Sequence, residues 1–196
     1  MADLIIPPLI PVSREQRERT LGQQAHIFWL TGLSGSGKST LAGLLETKLQ
    51  ERGHKTMLLD GDVLRMGLNS DLGFSDEDRT ENIRRVGEVN QLFFEAGLIV
   101  INAFISPFEA DRAFVRSRVP SHGFSEVFIK ADLTVCESRD TKGMYQKARS
   151  GEIALFTGVS SPYEAPAFPE LVIETGSQTI EAALEMLLAY AITKVQ

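Results

Sequence analysis

The sequence predicts an α/β fold, a three-layer sandwich in which a mostly parallel five-stranded sheet carries helices on both faces. Three observations predict it. Short apolar runs alternate with amphipathic stretches from His26 to the C-terminus, the pattern of repeated right-handed βαβ units. The first apolar run passes at once into a glycine-rich turn and then a helical pattern. The composition is that of a globular chain: 43% of the 196 residues are hydrophobic and 23% charged.

Residues 1–24 read as an N-terminal arm, and 25–196 as a single domain. Pro7, Pro8 and Pro11 forbid a regular helix at the start of the arm, and its apolar stretch lacks the basic flank of a signal peptide. Ser13 to Leu21 is polar and compatible with helix. Ile27–Thr31 has the length and content of a buried strand. Leu41, Leu44, Leu45 and Leu49 then recur at helical spacing, with Gly53 as a plausible stop. Lys55–Leu59 reads as a second strand. Ser75 and Asp78 form a capping-box pattern ahead of a helix reaching about Ala96. Leu98–Ile105 is the strongest strand signal in the chain, and a helix over Glu109–Arg118 follows Pro107. Glu126–Lys130 and Leu171–Glu174 complete the five strands. Ile180, Ala183, Leu184, Leu187 and Leu188 line a last helix. The stretch from about 139 to 166, rich in Gly, Pro, Lys and Arg, reads as a lid.

Charge and cysteine content narrow the function. Twenty basic residues against 26 acidic ones give a net charge of −6, which argues against a nucleic-acid partner. No stretch approaches the roughly 18 apolar residues of a membrane span, so no membrane partner is expected. Cys136 stands alone, which excludes an internal disulfide and a cysteine-based metal cluster. His26, His54 and His122 show no ligand spacing. A reducing, cytoplasmic setting is expected.

In α/β sheets ligands bind at the carboxyl ends of the strands, so the residues after each strand carry the functional signal. After the first comes Gly32-Leu33-Ser34-Gly35-Ser36-Gly37-Lys38-Ser39, followed by Thr40. This is the phosphate-binding P-loop. Glycines open torsions that let successive N–H groups point at phosphate oxygens, and the helix presents its positive end to the same anion. Lys38 supplies a charge for the β- and γ-phosphates, and the Ser39 hydroxyl suits Mg²⁺. The motif, the chain length and the lack of a GTPase-type N-K-x-D element favour a small kinase with ATP and Mg²⁺ as cofactors.

The second strand leads into Asp60-Gly61-Asp62, two carboxylates within reach of a metal ion or an acceptor hydroxyl. Asp60 is assigned to Mg²⁺ and Asp62 to the acceptor. Arg65, Phe74, Arg79 and Asn82 follow, the last two sharing a helix face. A basic and amide pair beside an exposable aromatic ring suits a nucleotide with an extra anionic group. For Arg84 and Arg85 the competing reading is simple pairing with Glu77, Glu81 or Glu88.

Taken together, GLSGSGKST from Gly32, DGD from Asp60, DLGFSDEDRTENIRRVGEV from Asp71, AFISPF from Ala103, RDTKGMYQKARSGEI from Arg139 and FTGVSSPYEAP from Phe156 resemble the adenylylsulfate (APS) kinases. These are P-loop NTPase-like enzymes that use ATP to phosphorylate the 3′-hydroxyl of adenosine 5′-phosphosulfate in sulfate assimilation. The resemblance implies that Phe74 and Phe156 sandwich the acceptor adenine. It makes Arg65, Arg79 and Asn82 ligands of the phosphosulfate and its surroundings, with Ile105 and Ser106 bordering the pocket. Lys142 becomes a lid lysine near the phosphates, and Arg139 lies against the ATP adenine. The resemblance further implies a phosphoserine intermediate at Ser106 and a homodimer. Departures are Val63 where the family usually has Asn, Thr141 where it has Pro, and Glu109 where a basic residue is common. The paired N-terminal cysteines of redox-regulated plant members are absent. Two alternatives compete: a P-loop kinase for gluconate or shikimate, which leaves the Phe and Arg set unexplained, and a silent nucleotide-binding regulator, which intact Lys38, Ser39, Asp60 and Asp62 disfavour.

Overall fold

A computed structural model describes residues 11–196; the reading of the first ten residues lies outside them. Helix α1 (Arg14–Leu21) opens the described chain. Ser13 Oγ accepts from the Gln16 N–H while Gln16 Oε1 accepts from the Ser13 N–H, so the polar segment is a capped helix. Gly22, at φ +69°, ends it in the left-handed conformation.

The sheet comprises β1 (His26–Thr31), β2 (Thr56–Asp60), β3 (Ile99–Ala103), β4 (Phe124–Lys130) and β5 (Leu171–Glu174). Their order is β2-β3-β1-β4-β5, and every pairing is parallel. The expected strands are all present, with ends shifted by one or two residues. All six residues of β1 are buried, because the central strand is covered on both faces.

Alternation along β1 divides the core in two. Phe28 and Leu30 face α2 (Lys38–Gln50) and α8 (Ile180–Val195), meeting Leu41, Leu45, Leu49, Leu187 and Ala191. Ile27 and Trp29 face α4 (Asp76–Glu95) and α5 (Glu109–Ser117), meeting Ile83, Val86, Phe94 and Val115. Ser75 Oγ caps α4 by accepting from the Asp78 N–H at 3.1 Å; this is one half of the expected capping box. Three short helices were not anticipated: α3 (Gly61–Arg65), α6 (Leu133–Arg139) and α7 (Met144–Arg149). The last two lie in or against the expected lid, over a small third core of Cys136, Tyr145, Ala148 and Phe156.

His26 is 1% exposed. Its Nε2 lies 2.8 Å from Ser125 Oγ, which lies 2.8 Å from the Tyr190 hydroxyl on α8. Burial, aided by the positive charge of Lys194, pushes the imidazole down to about 4. The folded state thus binds the proton more weakly than the unfolded chain, and stability is lost as pH falls from about 6.5 toward 4. Between pH 7 and 5 the loss from this group is about 2 kcal/mol, or roughly 4–8 °C in Tm for a chain of this size. In His26→Gln that part of the slope should vanish; an unchanged Tm–pH slope would reject the assignment.

Candidate active site

The turn Gly32–Ser39 joins β1 to α2 below the carboxyl edge of the sheet. Gly32 has φ +153°, and a Cβ there would lie 2.4 Å from the Ile129 carbonyl oxygen. Gly37, at φ +103°, precedes α2 without a side-chain cap, so the first-turn N–H groups stay available to an anion. Lys38 is 8% exposed, and its Nζ donates to the Leu33 carbonyl at 2.7 Å. Burial pushes its ammonium down to about 8, with the Asp60 and Asp62 charges acting against that fall. Neighbours fix the loop from outside. Tyr145 Oη donates to the Ser34 carbonyl at 2.9 Å, Thr175 Oγ1 to that of Ser36 at 2.6 Å, and Arg139 Nη1 to that of Gly35 at 3.3 Å.

Two carboxylates face this loop from the end of β2. Asp60 Oδ1 accepts from the Asp62 N–H at 2.9 Å, capping α3, while Asp60 Oδ2 accepts from Ser39 Oγ at 2.6 Å. Asp62 projects further, its side chain 71% exposed, and pairs with Lys142. That hydrogen bond holds the Lys142 ammonium above its usual range. Asp60 with Ser39 forms a compact hard-oxygen set of the kind Mg²⁺ takes alongside nucleotide phosphates. Among the described residues there is no group of three or more His, Cys, Asp or Glu placed to hold a metal by itself.

The opposite side of the cleft is built from α3, the start of α4 and residues 155–157. The Arg65 guanidinium lies 4.4 Å from the centroid of the Phe74 ring, and its Nη1 donates to the Gly73 carbonyl at 2.7 Å. Arg79 Nε donates to the Phe74 carbonyl at 3.0 Å, Nη1 to Thr157 Oγ1 at 2.7 Å and Nη2 to the Leu155 carbonyl at 2.6 Å. Burial pushes its pKa down. One guanidinium therefore ties the Phe74 turn to the residues on either side of Phe156. Phe74 is 55% exposed and Phe156 7%, the latter packed edge-on against Tyr145 at 4.9 Å. Asn82 Oδ1 accepts from buried Asn69 Nδ2 at 2.9 Å, an orientation inferred from the bonding pattern.

Ser106 has φ +40°, in the left-handed region that side-chain-bearing residues rarely adopt. Its Oγ accepts from Trp29 Nε1 and donates to Thr31 Oγ1, both at 3.0 Å. Its carbonyl accepts from Arg112 Nη1 at 2.8 Å. Arg84 pairs with Glu81, and Arg85 with Glu81 and Asp71; Glu81 is one of the partners expected for them, and Asp71 is not.

These groups share one cleft of about 640 Å³. Ser34 to Thr40, Asp60, Asp62, Arg65, Phe74, Arg79, Asn82, Ile105, Ser106, Arg139, Lys142 and Phe156 all line it. Gly32 and Leu33 do not; they form the back of the loop, and Leu33 lines a separate recess with Leu133 and Gly158. Thr175, Gln178 and Ile180, after β5, also line the main cleft and were missed, although strand ends were the places to look. Tyr145 was missed as well, as a lone aromatic in a stretch read as loop. Of the departures, the Val63 and Thr141 side chains are exposed and make no side-chain hydrogen bond among the described residues, and Glu109 donates its N–H to Glu164 Oε2 at 2.6 Å.

A parallel sheet of this order, a P-loop between its central strand and the next helix, and carboxylates facing that loop define a P-loop kinase fold. The adenylylsulphate kinase family profile matches residues 24–174. The chain is 56% identical to the adenylyl-sulfate kinase of Marinobacter nauticus over 179 residues, 91% of this chain and 90% of that protein. The APS kinase of Mycobacterium tuberculosis, solved in complex with AMPPNP and APS, superposes with a TM-score of 0.82 at 44% identity, covering 86% of this chain and 98% of that one. A hexameric APS kinase from Thiobacillus denitrificans matches at TM-score 0.67 and 33% identity, covering 90% of this chain and 30% of that chain. The chain belongs to the adenylylsulphate kinase family.

Proposed function

We propose that the protein transfers the γ-phosphoryl group of ATP to the 3′-hydroxyl of adenosine 5′-phosphosulfate, giving ADP and 3′-phosphoadenosine 5′-phosphosulfate for sulfate activation. The observation that carries this reading is one cleft with a P-loop at one end and a ring pair braced by arginines at the other. Asp62 and Lys142 form an ion pair in the lining of the same cleft. The nucleotide phosphates lie along the N–H groups of residues 34–40, with Arg139 toward the ATP adenine. The acceptor adenine lies between Phe74 and Phe156, against Ile105. Arg65 and Asn82 offer donors to its phosphosulfate, while Arg79 spends its bonds mainly on holding the two rings.

In the transfer, the 3′-oxygen attacks the γ-phosphorus in line with the departing β-phosphate oxygen. Asp62 accepts the hydroxyl proton, and Lys38 and Lys142 offset the charge on the phosphoryl oxygens. Ser39 and Asp60, directly or through waters, would hold Mg²⁺, which would supply further neutralisation of the phosphate charge. Ser106 enters as a wall of the pocket, because its hydroxyl is committed to Trp29 and Thr31; direct transfer requires no covalent serine. The segment 139–166 acts as the lid that keeps water from the γ-phosphate. Residues 25–196 act as a single catalytic domain in this reading. A homodimer and a cytoplasmic setting complete the reading, the latter fitting the free, buried thiol of Cys136. Among the described residues, no helix is long and apolar enough to cross a membrane.

The direct test supplies ATP, Mg²⁺ and a panel of acceptors, and identifies the phosphorylated product by mass. Gluconate or shikimate as the acceptor, or no product, would refute the proposal. Ring stacking contributes about 1–3 kcal/mol per base. Phe74→Ala with Phe156→Ala should therefore raise the KM for the acceptor by roughly tenfold or more and leave that for ATP near its original value. An equal rise for both substrates would make these rings ordinary packing residues.

A further inference from the structure

Arg112, at the first turn of α5, is 2% exposed. A buried cation is costly unless it is fully bonded, and this one is bonded on three sides. Nε donates to Glu126 Oε1 at 2.6 Å, Nη1 to the Ser106 carbonyl at 2.8 Å and Nη2 to the Glu164 carbonyl at 2.8 Å. The two carbonyls belong to different walls. Ser106 lines the cleft in a strained conformation, and such strain persists only where the surroundings over-determine it. Glu164 ends the stretch that runs on from Phe156 and Thr157. That end is stitched down: the Glu164 N–H donates to the Pro107 carbonyl at 2.9 Å, and the Tyr163 hydroxyl lies 3.0 Å from Thr31 Oγ1.

We propose that Arg112 is a positioning residue for the acceptor nucleotide. It touches neither substrate. Its planar fork fixes the Ser106 backbone and the foot of the 156–164 stretch relative to each other, and so sets the spacing between the Ile105–Ser106 wall and the Phe156 ring. Lysine cannot replace it, because one ammonium does not present three donors in a plane. A plain structural ion pair would need only Glu126, which also has Arg116 Nη2 at 3.5 Å; the other two bonds go to the carbonyl of the cleft residue Ser106 and to that of Glu164, at the foot of the 156–164 stretch.

The proposal rests on the phosphotransfer reading above, so the wild type is first assayed with ATP and adenosine 5′-phosphosulfate. Arg112→Lys is then compared with Glu126→Gln, which disturbs the ion pair but spares both carbonyl bonds. Arg112→Lys should raise the acceptor KM about tenfold or more, with the ATP KM within about twofold, while Glu126→Gln should move neither, although both lower Tm. The neutral pair Arg112→Gln with Glu126→Gln leaves no lone buried charge. It must show the same acceptor-specific rise, and it decides the matter if the lysine variant does not fold. Equal rises for both substrates, or the same kinetics in Arg112→Lys and Glu126→Gln, would overturn the proposal alone. No turnover by the wild type would overturn the phosphotransfer reading together with it.

Discussion

Lys38→Ala should lower kcat by about 10²–10³, equivalent to about 2.7–4 kcal/mol of lost transition-state stabilisation, while the fold survives. Lys38 is the cation buried inside the loop, and its Nζ donates to the Leu33 carbonyl. It sits in a poorly screened position, where a fixed charge acts more strongly than in water. The ammonium is already pushed down to about 8 by burial, so alanine removes a group that is itself costly to bury, and Tm should change little. The same depression sets a pH dependence. The free enzyme loses this positive charge as pH rises through about 8, and kcat/KM for ATP should fall over that range. Steady-state kinetics of the variant decide the issue: a kcat within about threefold of wild type would remove Lys38 from the chemistry.

Asp62→Asn should lower kcat by about 10²–10⁴, the usual contribution of a positioned base, with ATP affinity retained. The argument lies in the division of labour between the two carboxylates. Asp60 uses one oxygen on its own helix and the other on Ser39, which directs it to the P-loop. Asp62 stands clear, 71% exposed and paired with Lys142 from across the cleft. Asparagine keeps its shape but takes no proton and no longer pairs its charge with Lys142. ATP binding by calorimetry and turnover at saturation are the measurements to compare. If ATP–Mg²⁺ binding collapsed while saturated turnover stayed normal, the roles of Asp60 and Asp62 would be exchanged.

The sheet was legible because strand signals are local. Ile27–Thr31 and Leu98–Ile105 announce themselves by dense apolar content, and the observed strands fall within two residues of them. The short helices α3, α6 and α7 were not legible. Each spans seven residues or fewer, too few for a periodic pattern, and each is held by contacts distant in sequence. The site divides along the same line. Residues whose role follows from local backbone geometry, Gly37 and Lys38 among them, were readable from the motif. Arg79 lines the cleft, but its partners Leu155 and Thr157 lie more than 70 positions away; its bracing of Phe74 against Phe156 is a tertiary fact. Thr175 escaped for a similar reason, since its bond to Ser36 spans 139 positions.

The strand order bears on how the chain reaches this state during synthesis. The central strand β1 pairs only with β3 and β4, while β2, the next to emerge, pairs with β3 alone. A nascent chain that has released β1 and β2 therefore holds two apolar strands with no mutual hydrogen bonds to make. Pairing waits for Ile99–Ala103, roughly 4–14 s of translation beyond Thr31 at about 5–20 residues per second. Through that interval Ile27-Phe28-Trp29-Leu30 is an unpaired apolar edge, the kind of segment that chaperones shield and that aggregates when they are overwhelmed. The time this segment spends unpaired is thus set by how quickly the chain out to Ala103 emerges, not by the stability of the finished sheet.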